Sequence, residues 1–251
     1  MYIISLFKEE IMERINQQDK KLNVEIWYDI ACPYCYIGER RFAQAMKNFI
    51  HRDEVNVQFR AFELNPDAPK DTKLSMIEEA KAKGDAESIM TLKHLYEVKD
   101  YAAGDGLDYD IEHLKRVSTH DAHRLAVLAD VYGKRAELLE ALFHAYFIEA
   151  KNVANHQVLI QAAAEVGLPS EEVQSVLTSN RYEEDVKQEE DDAWKIEFEY
   201  IPAYVVNRQF NINGAKTVGE ILQLLENAYE GKAPNADIDT DGKACGIHGC
   251  N

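Results

Sequence analysis

The segment Ala31-Cys32-Pro33-Tyr34-Cys35 and its flanks constrain this chain more than any other feature. On its N-terminal side, Val24 to Asp29 alternates apolar and polar residues and is rich in β-formers, so it reads as a strand. On its C-terminal side, Pro33 suits the first turn of a helix, and Phe42, Met46, Phe49 and Ile50 recur at helical spacing. The cysteines therefore fall at a strand-to-helix junction. Cys32 stands where free N–H groups and the helix dipole favour negative charge, a setting in which cysteine pKa values fall to roughly 3.5–7.5. The thiolate is the attacking species in disulfide exchange. The three-residue spacing brings Cys35 over Cys32 within one turn, so a disulfide can close between them. Cys35, further into the helix, is expected to be the more buried and to resolve a mixed disulfide. Pro33 removes an N–H that would otherwise help the thiolate, and Tyr34 adds bulk beside the sulfur, so both are read as tuning residues. A lone Cys-x-x-Cys could also be half a zinc site or two buried thiols. Its place between a strand and a proline-started helix favours redox chemistry.

The remainder of the chain supplies a frame for that junction. Val55 to Phe62 reads as a second strand, and two strands joined by a helix of this length suggest a right-handed parallel βαβ unit. After Pro66 and Pro69 no convincing strand occurs until about residue 196. Helical patterns run through Leu74–Lys83, Ala86–Val98, Ile111–Tyr132, Ala136–Glu149, Gln157–Val166, Ser170–Leu177 and about Tyr182–Trp194. Strand signals return at Ala203–Asn207 and Phe210–Asn213, with a turn at Asn207-Arg208-Gln209. Thr217 is placed to cap a last helix, Val218–Tyr229. A βαβ unit followed by ββα is the thioredoxin layout. The expected fold class is thus α/β, thioredoxin-like, with an inserted all-helical subdomain. The expected divisions are an N-terminal extension (1–22), a thioredoxin-like domain (23–69 and 196–230), the helical insert (70–195) and a flexible tail (231–251).

Charge and cysteine usage narrow the function. The 251 residues carry a formal net charge of −17, which argues against nucleic acid and against anionic lipid as partners. No stretch is long and apolar enough to span a membrane. The N-terminal residues place a short apolar run before the charges Lys8, Glu9 and Glu10, the wrong order for a signal peptide. A cytoplasmic location is therefore expected. Four cysteines fall in two close pairs, Cys32 with Cys35 and Cys245 with Cys250. In a reducing compartment such pairs are more often catalytic, redox-sensing or metal-binding than structural.

The segment Asp29-Ile30-Ala31-Cys32-Pro33-Tyr34-Cys35-Tyr36-Ile37-Gly38, followed by Arg40-Arg41-Phe42, resembles the active-site segment of the FrnE-like branch of the DsbA superfamily. Ala122-His123-Arg124-Leu125, Leu142-Phe143-His144-Ala145-Tyr146-Phe147 and Ile201-Pro202-Ala203-Tyr204 extend the likeness over about residues 24–230. The resemblance implies a thioredoxin fold with a helical insertion and dithiol–disulfide exchange. It also implies that Pro202 is a cis-proline facing the dithiol, with the Ile201 backbone turned outward to pair with a substrate strand. The chain departs from the pattern at Ile26, where thioredoxins and DsbA proteins carry a buried carboxylate; Glu25 and Asp29 lie nearby, and water or Asp29 is left to handle the proton.

The glycine-rich Cys245-Gly246-Ile247-His248-Gly249-Cys250 reads as a possible second redox pair, as a zinc ligand set or as exposed thiols without a role. His123 is kept as a candidate lining the groove. The run Glu189-Glu190-Asp191-Asp192 reads as a solvated helix face. Tyr28, Tyr34 and Tyr36 could bound a peptide-binding surface, although core packing accounts for Tyr28 equally well. The resulting reading is a dithiol oxidoreductase with no organic cofactor and no metal. Its expected partner is a disulfide-containing protein or a small molecule, glutathione included, bound in an exposed groove at Cys32. A glutathione-dependent isomerase or transferase of the same superfamily is the first alternative, against which the intact cysteine pair argues. A redox-controlled chaperone or zinc-binding protein without turnover is the second.

Overall fold

The computed structural model describes residues 22–196, 198–232 and 244–246. A four-stranded sheet organises the chain around its first strand. Strand β1 (Leu22–Tyr28) pairs in parallel with β2 (Val55–Ala61), from Leu22 opposite Val55 to Tyr28 opposite Ala61. The connection is helix α1 (Pro33–Asn48) and a short 3-10 turn. The remaining strands are numbered in chain order: β3 (Tyr200–Ile201), β4 (Ala203–Val206) and β5 (Phe210–Asn213). On its other edge β1 pairs antiparallel with β4, which continues into β5, giving the order β2-β1-β4-β5. The hairpin closes with Asn207 and Arg208 both at positive φ (52° and 53°), and Gln209 N–H donates to the Val206 carbonyl at 3.0 Å. That backbone matches the right-handed twist of the flanking strands.

Between β2 and β3 the chain builds seven helices: α2 (Met76–Lys83), α3 (Ala86–Ala103), α4 (His120–Val131), α5 (Arg135–Phe143), α6 (His156–Glu165), α7 (Ser170–Leu177) and α8 (Glu183–Ile196). A π-helical turn, His144–Ile148, follows α5. The last helix, α9 (Val218–Tyr229), starts at a capping box in which the Thr217 hydroxyl accepts from Glu220 N–H and the Glu220 carboxylate accepts from Thr217 N–H. Helices α1 and α9 pack together, while α8 packs against β2 and α4. The indole N–H of Trp27 donates to the Glu189 carbonyl at 2.9 Å, which fastens α8 to the central strand. No helix among the described residues is long and apolar enough to cross a membrane.

Two sequence expectations are corrected. The helix expected over Ile111–Tyr132 starts only at His120. Ile111, Leu114 and Val117 are buried at helical spacing, yet they lie in a loop whose backbone has tertiary partners. Asp110 N–H donates to the Phe147 carbonyl, Met76 N–H to the Leu114 carbonyl, and Ser118 N–H to the Pro69 carbonyl. Glu189, read as part of a solvated face, is buried: its carboxylate receives Arg135 at 2.6 and 2.9 Å and Ala61 N–H at 2.7 Å. Neighbouring Glu190 accepts Glu63 N–H at 2.9 Å. The N-terminal extension and Cys250 lie outside the described residues.

Candidate active site

Cys32 is the N-cap of α1, with extended backbone (φ −87°, ψ 114°), and Pro33 opens the helix behind it. The turn is set by Asp29, whose carbonyl accepts Cys32 N–H at 3.1 Å and whose carboxylate accepts Ala31 N–H at 3.1 Å. Cys32 and Cys35 are both free thiols. The Cys32 Sγ donates to the Ile201 carbonyl at 3.9 Å, and the Ile201–Pro202 peptide bond is cis. Burial pushes the Cys35 thiol well up, helped by its hydrogen bond with Cys32, the Cys32 charge and the Asp29 carboxylate. Raising that pKa keeps the proton on Cys35 at neutral pH.

The surroundings correct three expectations. Cys32 is fully buried (0 % exposed), beside Cys35 at 2 %, so the exposed groove at Cys32 is absent from this form. Tyr28, Tyr34 and Tyr36 are buried and bound no surface. Tyr34 packs edge-on against His94 and Tyr101, while Tyr36 stacks on Phe143 with ring centroids 5.1 Å apart. His123 is fully buried and lines no groove; its Nε2 lies 3.4 Å from Asp29 Oδ1. Ile26 is a buried apolar residue, and Glu25 is engaged by Arg60 and Arg208. Asp29 is therefore the carboxylate beside the dithiol, 1 % exposed.

Sequence reading passed over several residues that shape the site. Gly38 lies one turn beyond Cys35, and a Cβ there would collide with Tyr204 Oη and stand 2.7 Å from Pro202 Cγ. Its signal was available: a glycine inside a helical pattern usually has a packing reason. Tyr109 donates its hydroxyl to the Pro33 carbonyl at 2.8 Å, bringing the loop after α3 onto the dithiol helix. Arg41 ties α1 to Asp105 (2.7 and 2.9 Å), to the Tyr101 hydroxyl (2.6 Å) and to the Ala215 carbonyl (2.8 Å). These contacts link residues far apart in the chain and have no local sequence pattern.

The tail returns to this site. Strand β6 (Cys245–Gly246) pairs antiparallel with β3, with Cys245 opposite Ile201. Cys245 is buried and disulfide-bonded. Among the described residues no group of three or more His, Cys, Asp or Glu side chains could hold a metal ion.

The profile of the DSBA-like thioredoxin domain matches residues 23–226. The crystal structure of a probable DsbA oxidoreductase from Streptomyces coelicolor is 34 % identical, with TM-score 0.77, over 92 % of this chain and 98 % of that one. The uncharacterised protein YwbO of Bacillus subtilis strain 168 is 24 % identical over 65 % of this chain and 75 % of its own length. A 2-hydroxychromene-2-carboxylate isomerase structure shares the fold at 13 % identity, with TM-score 0.61, over 83 % of this chain and 95 % of that one. The profile match over residues 23–226 and the 34 % identical structure place the chain in the DSBA-like thioredoxin family, to which it belongs.

Proposed function

We propose that this protein is a thiol–disulfide oxidoreductase working through Cys32 and Cys35. The supporting observation is the pairing of a helix-capping thiol, turned to the Ile201 carbonyl, with a buried second thiol one turn away. In the reducing direction the Cys32 thiolate attacks a substrate disulfide. One substrate sulfur leaves as thiolate and the other stays bonded to Cys32. Cys35 then attacks Cys32 Sγ, the Cys32–Cys35 disulfide forms, and the second substrate sulfur leaves. The oxidising direction is the reverse, and the reduction potential selects between them. Pro33 and Tyr34 tune the nucleophile.

The Ile201 main chain and Pro202 receive the substrate, a disulfide-containing protein or a small molecule such as glutathione. The exchange needs neither an organic cofactor nor a metal. Cys245 and Cys250 form a second redox pair in this reading, supported by the seating of Cys245 on Ile201. The proposed setting is the cytoplasm, whose reducing thiol pool keeps the Cys32–Cys35 pair available as free thiols.

Single-cysteine variants test the reading. With an oxidised glutathione substrate, Cys35→Ser is expected to accumulate a mixed disulfide on Cys32, mapped by mass spectrometry, and Cys32→Ser to form none. Both variants should lose turnover. Turnover retained by Cys32→Ser, or stoichiometric zinc in the purified protein with no exchange, would overturn the proposal.

A further inference from the structure

The edge of β3 beside the dithiol is already occupied. Strand β6 pairs with it antiparallel, Tyr200 opposite Gly246 and Ile201 opposite Cys245. Opposed residues in such a ladder alternate between pairs that exchange both main-chain bonds and pairs whose bonds are made by the residues on either side. The second pattern at Ile201 needs an N–H at residue 202, and Pro202 has none. Ile201 and Cys245 are therefore the pair that exchanges both bonds. Ile201 N–H donates to the Cys245 carbonyl, and Cys245 N–H donates to the Ile201 carbonyl. That carbonyl has a second lone pair, and it accepts Cys32 Sγ at 3.9 Å. The tail strand thus sits on the residue that touches the candidate nucleophile.

Both main-chain groups of Ile201 are spent on the chain's own tail. An extended polypeptide laid on this edge by strand addition needs those same two groups, so it and β6 exclude one another. The tail is firmly placed but lightly held. Cys245 is fully buried and belongs to the core cluster that contains Ile201. The paired segment is only two residues long, and a two-stranded pairing is marginally stable by itself. A seat of this kind persists in the resting protein and yields to a competing strand. A small disulfide without peptide groups makes no use of the edge.

We propose that β6 is a built-in competitor for the substrate strand: polypeptide disulfides reach Ile201 by displacing the tail, and small disulfides that form no strand pairing do not have to. This rests on the oxidoreductase reading above and adds a regulation of that same site. The tail sets a threshold on partners. A cysteine in a segment that can extend and take over both Ile201 bonds is admitted, and one in a segment that cannot is refused. The rival account is a tail that only shields the Cys32 sulfur, itself fully buried, from every reagent alike.

The test uses two probes with the same leaving group. One is an extended peptide whose single cysteine is a mixed disulfide with thionitrobenzoate. The other is the mercaptoethanol–thionitrobenzoate disulfide, which has no peptide group. Each is mixed in stopped flow with full-length protein reduced at Cys32 and Cys35. The Cys32 thiolate bonds to the probe's aliphatic sulfur, the probe's S–S bond breaks, and thionitrobenzoate leaves as the coloured thiolate. Cys35 then attacks Cys32 Sγ, and the rest of the probe leaves as a thiolate. Two variants are compared, both with Cys250→Ala so that no tail thiol reacts. Cys245→Ala keeps the ladder's N–H, and Cys245→Pro deletes it. The proline variant is expected to lower the half-saturating concentration of the peptide probe about tenfold, the value for a tail seated about nine-tenths of the time, with the plateau rate within about twofold. The mercaptoethanol probe should react alike with both. A synthetic peptide of residues 243–251, with both cysteines replaced by alanine, should compete with the peptide probe and not with the mercaptoethanol probe. Titrated into the Cys245→Ala protein, it tests the same claim if the proline variant fails to fold. An unchanged half-saturation in Cys245→Pro, an equal gain with both probes, or a tail peptide that does not compete would overturn the proposal. Failure of the oxidoreductase reading shows separately, as no release of thionitrobenzoate from either probe by either protein.

Discussion

Gly38→Ala should disturb the site more than its single methyl suggests. Gly38 is buried on α1, and the added Cβ would meet Tyr204 Oη inside van der Waals distance and Pro202 Cγ at 2.7 Å. Neither neighbour yields easily. Tyr204 is fully buried and stacked on Phe42 with centroids 5.8 Å apart, and the proline ring is rigid. Two effects oppose each other. Alanine favours the helix over glycine by about 1 kcal/mol, while overpacking of a filled core costs about 1–3 kcal/mol. Two contacts below 3.0 Å put this site at the upper end, so the net loss is about 2 kcal/mol. For a chain of this size that is a fall in Tm of about 4–8 °C, readable by calorimetry. The displacement also separates Cys32 from Ile201, so exchange should slow. Adding Tyr204→Phe removes one collision and a buried hydroxyl that has no partner among the described residues. The double variant should regain about 1 kcal/mol. A Gly38→Ala protein as stable as wild type, or a coupling energy below about 0.5 kcal/mol, would refute the reasoning.

Two other outcomes follow from carboxyls, Glu189 buried and Glu39 half-buried. Burial alone would raise the Glu189 carboxyl, but the Arg135 charge and hydrogen bonds, with Ala61 N–H and Arg60, hold it below the ordinary glutamate value. Its contribution is therefore full above the unfolded-state pKa of about 4.3 and is lost as pH falls through the folded one. Glu189→Ala leaves the buried Arg135 with Asp130, at 2.7 Å, as its remaining carboxylate among the described residues and should cost about 3 kcal/mol in denaturant unfolding at neutral pH, the low end for breaking a buried pair, with a flatter acid limb than wild type. Glu39 has the opposite sign: burial, and then the Glu140 charge, push its carboxyl from 4.5 up to about 7. Stability associated with the neutral form is present below the unfolded value and is lost as pH rises through about 7. Glu39→Gln should thus stabilise the protein by about 1–2 kcal/mol at alkaline pH, after allowance for partial exposure, and do nothing near pH 4. Parallel pH–stability curves for variant and wild type would contradict this.

The legible parts of this chain are those where local chemistry and fold agree. A strand period giving way to Cys32-Pro33 marks the start of α1, and Thr217 with Glu220 marks the start of α9. Ser170–Leu177, Phe210–Asn213 and Val218–Tyr229 match their expected bounds because each has a clear amphipathic or alternating pattern. Periodicity failed at Ile111, Leu114 and Val117, since a loop that buries every third residue carries the signature of a helix. Charge counting failed at Glu189, because its partners lie on β2 and α5 and leave no trace beside it in sequence. Asp29 and His123 were both named from sequence, yet their contact is between residues on opposite sides of the insert's first half. The contact of Cys32 with Ile201 and the pairing of β3 with β6 were illegible for the same reason: each joins segments far apart in the chain.

The sheet order has a consequence for how the protein is made. Strand β1 meets β2 about 33 residues later but meets β4 only about 180 residues later. Loop-closure entropy grows slowly, by about 0.6 kcal/mol per doubling, so the longer closure costs only about 1.5 kcal/mol more. In time it is less forgiving. At about 5–20 residues per second, the ribosome releases Cys32 and Cys35 about 10–30 s before the Ile201–Pro202 segment that faces them in the finished fold. Throughout that interval the nascent chain carries both thiols without β4 and without the Ile201 carbonyl that accepts the Cys32 hydrogen bond. The segment at Ile201 gives a cysteine pair made early a neighbour that arrives late.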